Sequence, residues 1–189
     1  MTFQAPTERS IRWSAWEGFE DGLEHLDIRR HGSGTVASGI IVGADEDSCY
    51  GLTYDLVVDE AWRVREARLR TTAGHALHLE SDGQGAWHAD SQPRPDLEGC
   101  IDIDIEATPL TNTLPIRRLS LGRGRSAAID VAYIRVPSLA VEVGRQRYTA
   151  LEPGSLYRFE SLDSGFRADL PVDHEGFVMN YPRLFRRWT

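Results

Sequence analysis

Apolar and polar residues alternate with a period of two along most of the chain, and short clusters of Gly, Asp and Pro interrupt the alternation about every 8 to 14 residues. In one such run Tyr50, Leu52, Tyr54, Leu56 and Val58 fall on one face, while Gly51, Thr53 and Asp55 fall on the other. Successive side chains of a strand point to opposite sides of a sheet, so this run predicts a half-buried strand. The same reading applies to Ile129, Val131 and Tyr133, to Leu139, Val141 and Val143, and to Phe166, Ala168, Leu170 and Val172. Turn chemistry separates the runs: HGSG at 31–34, GADED at 43–47, SDGQG at 81–85, GRGRS at 122–126, EPGS at 152–155, LDSG at 162–165 and DHEG at 173–176. Counting between the turns predicts roughly ten strands.

Two segments break the pattern. QPRPDLEG at 92–99 is a proline-rich connection, and TPLTNTLPIRRLSL at 108–121 predicts one short helix, with Thr113 as its N-cap and Pro115 in its first turn. A sheet of about ten strands must curl, split or close. The expected fold is mainly β and antiparallel, and a half-barrel capped by the 113–120 helix would satisfy that requirement. A concave apolar face of that kind suits a hydrophobic ligand.

The length of 189 residues and 41% hydrophobic content fit one domain spanning 1–189. A net charge of -8 argues against general nucleic-acid binding, which needs a basic surface. All 21 basic residues are arginine. Cys49 and Cys100 lack metal-ligand spacing and read as two buried free thiols. No signal-like segment opens the chain and no apolar stretch reaches the roughly 20 residues of a membrane span, so a cytoplasmic location is expected.

The most regular local feature is Cys100-Ile-Asp-Ile-Asp-Ile-Glu106, where Ile101, Ile103 and Ile105 take one face and Asp102, Asp104 and Glu106 the other. Neighbours on one strand face lie about 6.6 to 7 Å apart, a spacing that overlaps the acid and base pair of inverting glycosidases. The alternative is that these acids face solvent or pair with arginines on adjacent elements, among them Arg117, Arg118, Arg145 and Arg147. Of the six histidines, His75 and His78 would point to opposite faces of a strand, and no metal ligand set is expected. There is no nucleophile elbow and no phosphate loop, and no cofactor is expected. The five tryptophans read mainly as core.

The segments GCIDIDIEATPLTNTLPIRRLSL at 99–121, QRYTAL at 146–151, YRFES at 157–161 and VDHEGFVMNYPRLFRR at 172–187 resemble a bacterial glycolipid-binding family, formerly a domain of unknown function. The W-x-x-W-E-G-F-E run at 13–20 and DGQGAW at 82–87 fit as well. The resemblance implies an unclosed half-barrel with a helix on its concave side, similar to bacterial lipoprotein carriers. It points to non-catalytic binding of a glycolipid or acyl-containing small molecule. The expected ligand-binding residues are Asp102, Asp104, Asn112, Arg117, Arg118, Arg147 and Tyr148. Two other readings stay open: a protein-interaction module on the same sheet face, and a hydrolase using two of Asp102, Asp104 and Glu106.

Overall fold

The computed structural model describes residues 3–16, 22–44 and 49–188. Its first sheet holds β1 (Arg9–Ala15), β2 (Gly22–His31), β3 (Gly34–Ala44), β4 (Cys49–Val58), β5 (Val64–Thr71), β6 (Ala76–Ser81), β7 (Trp87–Ala89) and β8 (Gln92–Pro93). The second holds β9 (Asp102–Ile105), β10 (Ser126–Ile134), β11 (Val141–Glu152), β12 (Leu156–Ser161) and β13 (Arg167–Pro171). The chain then returns to the first sheet through β14 (Asn180–Tyr181) and β15 (Phe185–Trp188), which pair beside β1.

Neither sheet closes. The first runs from an edge at β14 to an edge at β8, and the second, curled into a half-barrel, runs from β13 to β9. Among the described residues every strand pairing is antiparallel except β9 with β10, which is parallel because the chain leaves β9 through a helical crossover before entering β10. The strands outnumber the roughly ten expected, since β7, β8, β14 and β15 have four residues or fewer and carry too little alternation to register. They also divide into two sheets where one was expected.

Period-two patterning places the core. On β2, Glu24, Leu26 and Ile28 turn inward; on β4, Leu52, Tyr54, Leu56 and Val58 do the same. Size is matched across the ladder: Gly39 on β3 faces Tyr54, and Gly43 faces Tyr50. A methyl on Gly39 would lie 2.2 Å from the Tyr54 ring, so only glycine fits there. This inner face packs against Ile103 and Ile105 of β9 and against Ala132 and Ile134 of β10. The opposite face of the second sheet carries Tyr148, Tyr157, Phe159 and Leu170, which form a second cluster with Ile116, Val178 and Tyr181. The strand β9 is therefore covered on both sides.

The helix α1 (Thr113–Leu119) bridges the two clusters, with Leu114 in the first and Ile116 in the second. It is entered through a single 3-10 turn at Pro109–Asn112, and that turn moves the cap. Thr108, not Thr113, accepts a hydrogen bond from the Leu110 N–H at 3.0 Å, while Thr113 lies inside the helix. Ser120 ends the helix in a left-handed conformation (φ 46°).

Three other expectations are corrected. Leu139 belongs to a turn, with φ 58°, rather than to the strand that follows. Cys49 is exposed at the start of β4; Cys100 alone is buried, and the two are unpaired. His75 precedes β6 in a turn, so its relation to His78 is not that of two residues on one strand. Most of the turn expected at 43–47 and the EGFE part of the motif at 13–20 lie outside the described residues.

Candidate functional site

Asp102 and Asp104 project from β9 onto the face of the second sheet that also carries Val131 and Tyr133 of β10, in register with them. Their fates differ. Asp102 has no exposed surface and is gripped by Arg118 through Nη2 to Oδ2 at 2.6 Å and Nε to Oδ1 at 3.1 Å. Burial pushes its carboxyl above the usual range, and the guanidinium opposes that rise. A fork-on-carboxylate pair in this setting fixes the helix to the sheet.

Asp104 meets no arginine. Its Oδ1 accepts from Thr111 Oγ1 at 2.8 Å and its Oδ2 from Gln146 Nε2 at 2.6 Å. Gln146 Oε1 accepts from the Tyr148 hydroxyl at 3.3 Å, and that hydroxyl accepts from Asn112 Nδ2 at 2.8 Å. The result is a continuous polar chain from the helix entry to β9 in which each member is satisfied by the next. Burial raises the Asp104 carboxyl above its usual range, the bonds from Thr111 and Gln146 oppose this, and the nearby Glu106 carboxylate adds to it.

Of these residues Asp104, Asn112 and Gln146 line one side of a cleft of about 690 Å³. Asp104, Glu106, Asn112, Tyr133 and Gln146 supply its polar wall; Phe159, Phe166, Tyr181 and Phe185 supply an aromatic one. The Tyr181 ring lies 6.0 Å from Phe159, 6.1 Å from Phe166 and 6.1 Å from Phe185, as an edge-on and tilted aromatic set. A second cleft of about 510 Å³ shares Glu106, Arg135, Leu184 and Phe185 with the first and continues over Ala15, Tyr50, Ala107 and Val136. Glu106 sits at the junction, where Oε2 accepts from the Val136 N–H at 2.9 Å.

At the inner end, Ala15, Tyr50, Ala107 and Phe185 also border a small cavity of about 40 Å³ that reaches Glu24. Glu24 is 2% exposed, and its Oε1 accepts from the hydroxyls of Tyr54 and of Thr108, the latter at 2.8 Å. Its Oε2 has no hydrogen-bond partner among the described residues. Burial drives the carboxyl up from 4.5 to about 7, against the two hydroxyl bonds.

Of the expected ligand residues, Asp104 and Asn112 line the main cleft, and Tyr148 stands behind them in the polar chain. Asp102 and Arg118 are engaged with each other. Arg117 points away: it stacks over Trp62 at 4.1 Å and donates to the Gln4 carbonyl at 3.0 Å and to the Glu175 carbonyl. Burial lowers its guanidinium to about 10, against the pull of Glu175 and Asp173. Arg147 lies on the face of β11 opposite Gln146 and Tyr148, with Glu160 4.0 Å away. Glu24, Gln146 and Tyr133 were not among the residues expected to bind a ligand. Each had left a signal: Tyr133 in the alternating run with Ile129 and Val131, Gln146 at the head of QRYTAL, and Glu24 as a carboxylate in the row Glu24, Leu26, Ile28.

Residues 10–187 match the family described as "Putative glycolipid-binding". The chain belongs to that family. A crystal structure of a DUF1089 family protein from Pseudomonas aeruginosa is similar to it: 40% identical, TM-score 0.81, covering 89% of this chain and 92% of that one. No curated protein matches the chain. No helix among the described residues is long and apolar enough to cross a membrane.

Proposed function

We propose that this glycolipid-binding family member holds an amphiphile in the joined clefts, with a sugar-like head against the second sheet and an acyl portion along Ala15, Tyr50, Ala107 and Val136. The observation that carries this reading is the main cleft itself. Its volume of about 690 Å³ falls within the range of small-molecule sites, and a few convergent polar groups stand opposite an aromatic wall. Hydroxyl-rich rings suit both: Asp104, Asn112 and Gln146 offer acceptors and donors, while Tyr181 and Phe166 offer ring faces. Apolar burial at about 25 cal/mol per Å² would supply the tail's contribution, reduced by the cost of ordering the ligand.

Native mass spectrometry of the purified chain, with organic extraction of any co-purifying mass, tests this reading. An adduct that releases a glycolipid or acyl conjugate, and that is lost in Tyr181→Ala, supports it. A bare mass together with no binding of short-chain alkyl glycosides would sink it.

The raised Asp104 carboxyl shares the cleft with Glu106, which favours a second reading: a hydrolase in which Asp104 gives a proton and Glu106 activates water. Turnover of aryl glycosides or esters that disappears in both Asp104→Asn and Glu106→Gln would replace simple binding by this reading.

A further inference from the structure

Away from the clefts, the outer face of the first sheet collects a set of donor side chains that only strand register brings together. Glu66 on β5 stands opposite Glu80 on β6, and Glu80 stands opposite His88 on β7. His78, two residues before Glu80, projects from the same face. His78 Nε2 lies 2.7 Å from Glu66 Oε1, and one donor atom each from Glu66, His78 and Glu80 lies within 4.8 Å of the other two.

We propose that Glu66, His78 and Glu80 form a binding site for a divalent ion of the zinc class. A tetrahedral ion with ligands at about 2.0–2.2 Å needs its donors roughly 3.5 Å apart. The Glu66–His78 pair, at 2.7 Å, therefore has to open by somewhat under an ångström, and Glu80, within 4.8 Å of both, has to reach the same spacing, which side-chain rotation on a solvent face supplies. Their backbones are held by the β5–β6 ladder, so the spacing is built into the sheet. One imidazole with two carboxylates suits zinc, cobalt or nickel; calcium and magnesium prefer all-oxygen shells. The fourth position opens toward His88 and solvent: Glu80 and His88 border one shallow surface depression.

Arg68 competes for the same place. Its guanidinium pairs with Glu66, and its side chain is 59% exposed, so it can leave toward water when an ion arrives. The arginine makes the site weaker than its ligand count alone implies, which gives the proposal a distinctive signature. Removing Arg68 should tighten metal binding, an effect that loss of a merely structural contact would not produce.

The test is calorimetric titration of zinc chloride into the full, untagged, chelator-treated chain, with cobalt chloride absorption as a readout of coordination. One saturable site is expected, weakened by roughly tenfold or more in His78→Ala and in Glu80→Gln and tightened in Arg68→Gln. Glu80 is exposed, so its variant reads out binding in a folded protein. Absence of saturable zinc binding, or binding that neither substitution changes, overturns the proposal.

Discussion

Replacing Glu24 with glutamine isolates the effect of one buried proton. The folded-state value of about 7 stands above the ordinary 4.5, so between those values the native chain keeps a proton that the unfolded chain releases. Stability from this group is therefore complete below about pH 4.5, falls as pH rises and is gone above about pH 7. The rise from 4.5 to about 7, at about 1.4 kcal/mol per pH unit, amounts to about 3 kcal/mol. Most of that, roughly 2 to 3 kcal/mol, lies between about pH 5 and pH 8. Glutamine keeps an oxygen for Tyr54 and Thr108 but cannot ionise. Urea unfolding of both chains across this pH range should show the wild type losing about 2 to 3 kcal/mol relative to Glu24→Gln. Every other titrating group cancels in that difference. Parallel stability curves would refute the assignment of a buried, largely neutral carboxyl.

Three further outcomes follow from the same packing. Gly39→Ala forces a methyl to within 2.2 Å of the Tyr54 ring; it should cost about 3 kcal/mol in chemical denaturation and move the Glu24 titration, since the ring carries the hydroxyl bonded to Glu24. Asp102→Ala strands the Arg118 guanidinium, which is 19% exposed and can partly turn to water, so a loss of about 3 kcal/mol, the low end for a broken buried pair, is expected by thermal or urea unfolding. Arg117→Ala removes the stack on Trp62 and the bonds to the Gln4 and Glu175 carbonyls; stability should fall by roughly 1 to 3 kcal/mol, while the affinity of any alkyl glycoside that the chain binds stays unchanged in a fluorescence titration.

The polar residues in TPLTNTLPIRR illustrate how a strong local motif can be read correctly as a unit and incompletely as chemistry. Thr108 caps the turn and reaches Glu24, Thr111 bonds Asp104, Asn112 bonds Tyr148, and Arg118 holds Asp102. These contacts fix the helix between two sheets. The same contacts aim Asp104 and Asn112 at the main cleft, so anchoring and site formation share residues.

The longer strands, most of the turns between them and the inward set on β4 were legible because alternation and turn chemistry are local properties of a chain. A short helix was legible from the turn chemistry at 108–121, and the family resemblance extended that to an unclosed half-barrel. The ligand residues were only partly legible, because the direction of a side chain says nothing about what lies opposite. In 101–106 the alternation held, yet both faces of β9 are packed: Asp102 is buried like Ile103 and Ile105, and Asp104 is half-buried at the cleft. Arg117 and Arg118 are consecutive and point to different partners. The division into two sheets, the Gln146–Asp104 bond, the cleft, the unpartnered Glu24 oxygen and the Glu66–His78–Glu80 grouping all depend on contacts across long sequence separations or on register. Those are decided by which apolar faces bury together, and only the folded chain records the outcome.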